Sequence, residues 1–196
     1  MNRSRLEAFS DGVLAIIITI MVLELHVPEE PTWAGLAGVL PGFFSYLLSF
    51  VYVGIYWNNH HMLHLVSKVN GMVLWANLHL LFWLSLFPFT TRWMDESGYR
   101  QVPVLIYGTN LLLAAIAYFV LESTLIRQQG RDGRLARATG RDWKGKASPV
   151  IYIAGIALTF VHPLLGVGAF AVVAAVWLVP DRRVERFLAA EADQQH

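Results

Sequence analysis

Cysteine is absent from this 196-residue chain, which excludes disulfides and thiolate metal sites. Charge is scarce: Asp, Glu, Lys and Arg make up 15% of the residues, where a soluble domain carries about a quarter. An A-x-A-like cleavage site is missing after the first apolar stretch, and Glu24 and His26 follow instead. Arg3 and Arg5 therefore do not read as the start of a signal peptide, and the first helix is expected to be retained. No internal repeat, low-complexity tract or second domain is visible. The one strongly basic tract holds a single aromatic residue, Trp143, which argues against nucleic acid as a partner.

What the chain has in abundance is apolar surface, at 56% of residues. Charge-free runs long enough to span a bilayer recur, and a span needs about 20 residues. The fold class expected is all-α, a polytopic membrane protein with one six-helix transmembrane domain over 1–196. The spans are predicted at 9–27, 34–57, 69–91, 102–121, 147–163 and 165–180. Pro28 and Pro31 stop the first helix, Pro41 is expected to kink the second without ending it, and Pro88 lies near the end of the third. The uncharged run 147–180 would be about 50 Å long as one helix, against a hydrocarbon core of about 30 Å. His162-Pro163 and Gly166-Val167-Gly168 offer a break near its middle.

Residues 127–146 form a basic loop with seven Lys or Arg and four Gly. With six spans, 13 of the 15 basic residues fall on the side of the N-terminus: Arg3, Arg5, Lys68, the seven of this loop, Arg182, Arg183 and Arg186. Only Arg92 and Arg100 fall on the other. That asymmetry predicts both termini in the cytoplasm. Trp33, Trp57, Trp93, Trp143 and Trp177 mostly sit near span ends, where aromatic belts form.

The first span begins with a charged cluster. Asp11 is a carboxylate at the edge of hydrocarbon and needs a cation, donors or water; Arg5 is the expected partner. Beyond it Ile16, Ile20 and Leu23 fall at i, i+4 and i+7 and share a stripe, with Thr19 as its one hydroxyl. Such a face suits the lining of a narrow pore and equally an ordinary helix–helix contact. At the far mouth, Glu24, Glu29 and Glu30 read first as solvated loop charges screened by salt, and second as a ring that concentrates cations.

The histidines are candidate ligands for metal or haem. His60 and His64 are i, i+4, with His61 beside them, but no carboxylate or thiolate nearby completes a site, so a structural role for His60 beside Asp11 is preferred. His79 and His162 lack the paired pattern of a membrane cytochrome. Asn77 and His79 are expected to make interhelical hydrogen bonds. No cofactor is expected.

Arg5-x-x-x-Phe9-Ser10-Asp11, followed by Gly12 and Ala15-Ile16-x-x-Thr19, resembles the signature of the transmembrane protein 175 family, lysosomal potassium channels and their bacterial homologues. Trp57-x-x-His60-His61 is similar to the family's motif ending its second helix, and Asn77-Leu78 with Leu84-Ser85-Leu86-Phe87-Pro88-Phe89 to its third. The resemblance covers about the first half of the chain. It implies a single-repeat bacterial member in the plasma membrane, a homotetramer whose first helix lines a central pore, with potassium and other monovalent cations as permeants. It implies that Ile16 is the apolar constriction, Ile20 and Leu23 further apolar rings, and Thr19 a hydroxyl layer. Arg5, Phe9, Ser10, Asp11, Trp57, His60 and Asn77 would form a network joining the first three helices. No Thr-Val-Gly-Tyr-Gly filter loop belongs to this family, and none occurs in the chain.

The alternative is a secondary transporter or a membrane enzyme with a polar site. A transporter would show broken helices or inverted repeats with polar residues near the midplane, whereas the first span is unbroken and apolar in its middle. An enzyme would need a convergent acid, base or nucleophile cluster, whereas the polar cluster lies at one membrane edge. A non-enzymatic channel is therefore expected.

Overall fold

The computed structural model describes residues 3–60, 63, 69–129 and 143–178, and the described secondary structure is all helical. Helix α1 spans Arg3–Leu23, α2 Trp33–Asn59, α3 Gly71–Ser85, α4 Phe87–Glu96, α5 Gln101–Gln129, α6 Trp143–Leu158 and α7 Pro163–Leu178. Four segments are long and apolar enough to cross a membrane: α1, α2, α3 with α4 as Gly71–Glu96, and α5. The shorter apolar helices Ala147–Leu158 and Pro163–Leu178 bring the helical segments to six. His61, His64, Lys68, Arg182, Arg183, Arg186 and positions 130–142 of the basic loop lie outside the described residues.

Helix ends follow local chemistry. Thr32 caps α2, its hydroxyl accepting from the Gly35 N–H at 3.0 Å, and Asn70 caps α3 by accepting from the Val73 N–H at 3.0 Å. Pro88 cannot donate to the carbonyl four residues back, and the chain kinks at Leu86 between α3 and α4. Pro163 opens α7 after a turn at 159–162. Helical structure runs past the expected spans at several ends. Helix α1 begins at Arg3, where Arg3 and Glu7 pair at 3.2 Å; α4 continues to Glu96, where Arg92 and Glu96 pair at 2.7 Å. Both are i, i+4 pairs, and such pairs extend a helix beyond its apolar part.

Helix α5 is the centre of the bundle and packs on α3, α4, α6 and α7, while α1 lies at the side against α2, α3 and α4. Inside the bundle, Tyr52, Phe87, Tyr107, Tyr152 and Phe170 pack in tilted or edge-on pairs with ring centroids 6.1–6.4 Å apart. The Tyr52 hydroxyl donates to the Phe170 carbonyl at 2.6 Å, and Ser49 joins the Tyr107 and Thr91 hydroxyls at 2.9 and 2.7 Å. Phe170 fits only because α5 and α6 present glycines to it: a Cβ at Gly108 or Gly155 would overlap its ring.

Gly108→Val is accordingly expected to force the Phe170 ring from its seat and cost about 1–3 kcal/mol, the usual penalty of overpacking. Thermal unfolding of the purified protein in detergent checks it; an unchanged midpoint would mean that the aromatic cluster has slack.

Candidate functional site

The geometry of α1 follows from which of its residues are buried. Leu6, Ser10, Leu14, Ile17 and Met21 are covered, and their spacing of three or four residues makes one stripe facing the bundle. The opposite face is left uncovered. Phe9 is 53% exposed, Ile16 58%, Ile20 42% and Leu23 82%, and Thr19 is exposed among them. Thr19 Oγ1 donates its proton to the Ile16 carbonyl at 2.9 Å, so the hydroxyl oxygen turns its lone pairs outward. In a folded chain, then, an apolar stripe carries a single layer of oxygen acceptors.

At the N-terminal end of α1, three of the expected network residues meet. Asn77 Nδ2 donates to Ser10 Oγ at 2.9 Å, and Ser10 Oγ donates to the Leu6 carbonyl at 2.9 Å. His60 Nε2 lies 3.0 Å from Asn77 Oδ1, and His60 Nδ1 lies 3.1 Å from the Tyr56 carbonyl. All three side chains are buried, Ser10 and Asn77 completely. The chain of bonds ties α1, α2 and α3 together in a setting where water is not available to replace any of them.

The other expected members are not drawn in. Arg5, Phe9, Asp11 and Trp57 are exposed, and neither Arg5 nor Asp11 forms an ion pair among the described residues. The reason is helical geometry. Residues six apart are turned by about 240° when each adds about 100°, so Arg5 and Asp11 cannot face one another on a helix that already includes both. Within this chain Arg3 takes Glu7 instead. His79 does not bridge helices: it accepts from Trp83 Nε1 at 3.0 Å, one turn along α3.

Charge also collects at the opposite end of the bundle. Glu24, expected to be a free loop charge, is an ion-pair partner of Arg92, which also holds Glu96. His26 Nε2 stands 4.0 Å from Glu96. Glu29 and Glu30 stay exposed. The Arg92 contacts were not anticipated, although one signal was present: only Arg92 and Arg100 are basic on that side.

Comparison with known proteins bears on this arrangement. A family model described as endosomal/lysosomal potassium channel TMEM175 matches residues 5–88, a stretch holding the α1 stripe and the Ser10–His60–Asn77 chain. The sequence is 54% identical over 189 residues to a protein of Chryseobacterium sp. strain P1-3 named as a potassium channel, covering 96% of this chain and 98% of that one. A second protein named as a potassium channel, from Streptomyces collinus, is 33% identical over 131 residues, with 62% of this chain and 64% of that one aligned. The fold matches the crystal structure of a lysosomal potassium-selective channel TMEM175 homolog from Chamaesiphon minutus with a TM-score of 0.76 and 28% identity, covering 90% of this chain and 96% of that one.

Asn77→Ala should leave Ser10 Oγ without its donor and the buried His60 Nε2 without its partner. Each buried orphan costs about 1–3 kcal/mol, so a clear fall in the thermal midpoint is expected. An Asn77→Ala protein that unfolds with the wild-type midpoint would remove the network from the list of structural determinants.

Proposed function

Since the chain belongs to the TMEM175 family, we propose that it is a potassium-selective cation channel formed by four copies around an axis lined by α1. The observation that carries this reading is the uncovered stripe of Ile16, Thr19, Ile20 and Leu23 on a helix whose other face is fully packed. Four copies of Ile16 facing an axis make an apolar ring that dewets and resists hydrated ions. Thr19 lies about 4.5 Å further along the axis at 1.5 Å per residue, and four outward oxygens there can take over part of a cation's water shell. Ile20 and Leu23 continue the apolar lining. No charge sits at the narrowest point, so a potassium ion or another monovalent cation crosses a short barrier instead of a binding cage. Conduction is passive, and no chemical step or resident cofactor enters it.

The protein is a multi-pass membrane protein, and we place it in the bacterial plasma membrane with both termini in the cytoplasm. The 13-to-2 distribution of basic residues supports that orientation. In this frame the Ser10–His60–Asn77 chain is at the cytoplasmic end and the Arg92 ion pairs are at the outer mouth. A reporter enzyme active only in the periplasm, fused after His196, should be silent; an active fusion would reverse the topology.

The mechanism separates two side chains. Ile16→Asn replaces the apolar side chain by a smaller, polar one that lets the ring stay wet, so potassium and sodium should both pass more easily and their discrimination should fall. Thr19→Val keeps the shape and removes the oxygen, so selectivity should drop with little change in pore width. Reversal potentials of the reconstituted variants under opposed potassium and sodium gradients read both effects: each should move toward zero from the wild-type value. Unchanged reversal potentials in both variants would mean that this face does not line the pore.

A further inference from the structure

His79 presents a donor that no described residue of the chain accepts from. It sits on α3, within the apolar segment Gly71–Glu96, about 12 Å from the start of that segment at 1.5 Å per residue. Its Nε2 accepts from the Trp83 indole N–H, which can only donate, so the ring proton is on Nδ1. Nδ1 has no hydrogen-bond partner among the described residues, and the side chain is exposed. A lipid tail offers no acceptor for that N–H, so an uncovered position in hydrocarbon is unfavourable. Trp75 and Phe82, at i−4 and i+3, complete an exposed stripe at 75% and 54%.

A matching surface exists on the other flank of α1. Helix α1 packs on both α2 and α3, so its uncovered stripe lies between their outer faces. On α2, Leu36, Leu40, Phe43, Leu47, Phe50 and Trp57 are exposed and recur at heptad-like spacing. The row is broken at position 54, where glycine stands and an added Cβ would meet nothing within 4 Å. A glycine in such a row leaves a notch that bares backbone carbonyls, the usual acceptors between membrane helices. The His60–Asn77 contact sets the relative depth of the two helices. Gly54 lies about 9 Å outward from His60, and Trp83 about 9 Å outward from Asn77, so the notch and Trp83 share a layer, with His79 about one turn inward of it.

We propose that the α3 face of one subunit docks on the α2 face of the next, with the His79–Trp83 pair seated at the Gly54 notch and His79 Nδ1 donating to a backbone carbonyl of the neighbour's α2. The occupant of this face is a second copy of the chain, and the contact is head-to-tail, so repetition by a fourfold axis closes a ring. The inference rests on the tetrameric channel proposed above and adds which surfaces make the ring.

The cysteine-free chain gives a clean test. Gly54→Cys and Phe82→Cys are introduced together, leaving His79 and Trp83 intact, and the reconstituted protein is oxidised with copper phenanthroline. The mass of the unoxidised assembly is measured in parallel. A ladder of covalent dimer, trimer and tetramer from the double variant, with none from either single variant, is expected. His79→Phe and Gly54→Leu should each weaken tetramer retention on dilution in detergent by about threefold per contact, the size of a single hydrogen bond between membrane helices. A protein that is tetrameric by mass yet gives no ladder overturns this interface and leaves the channel reading standing. A protein that is not tetrameric overturns both.

Discussion

The rotation of α1 about its own axis is set at Ser10. Its hydroxyl accepts from Asn77 on α3, and Asn77 in turn meets His60 at the end of α2, so one buried chain fixes which side of α1 faces inward. Leu6, Leu14, Ile17 and Met21 then fill the groove between α2, α3 and α4. A helix held only by apolar contacts could rotate by a residue at modest cost, since Ile, Leu and Val replace one another with small penalties. A hydrogen-bonded serine without water nearby cannot. Everything proposed for Ile16 and Thr19 depends on that fixed rotation, because they lie on the face that is left over.

The rest of the bundle serves as the wall against which this arrangement is held. Helix α5 carries the load, packed on four neighbours, and the ring cluster around Phe170 binds α2, α5, α6 and α7 into one body. Glycines at 108 and 155 admit the ring, and prolines at 88 and 163 place the breaks that let α4 and α7 take their own directions. Outward from this body the surface is apolar, as expected where lipid or another subunit covers it.

Much of the architecture was legible because membrane helices advertise themselves by length and lack of charge, and because the α1 stripe has a clean helical period. Ser10, His60 and Asn77 were legible through the motif that contains them. The Arg5–Asp11 pairing within one chain was not a sound expectation, since it took the helix to begin at Phe9 and left Arg5 free to swing. The helix begins at Arg3, and its geometry turns the two charges apart. The interhelical bond expected of His79 failed for a related reason: Trp83 one turn away is the nearer partner, and an i, i+4 pair forms without waiting for another helix. The Glu24–Arg92 contact joins residues 68 apart in sequence, a distance over which charge patterning alone specifies nothing.

The central claim is that the uncovered face of α1 meets a water-filled axis. Single cysteines placed along α1 of the otherwise cysteine-free protein, exposed to a small charged water-soluble thiol reagent during current recording, test it directly. Inhibition is predicted at positions 16, 19, 20 and 23, with none at 14, 17 and 21. Inhibition that ignored this helical period, or that fell on the buried stripe, would contradict the account.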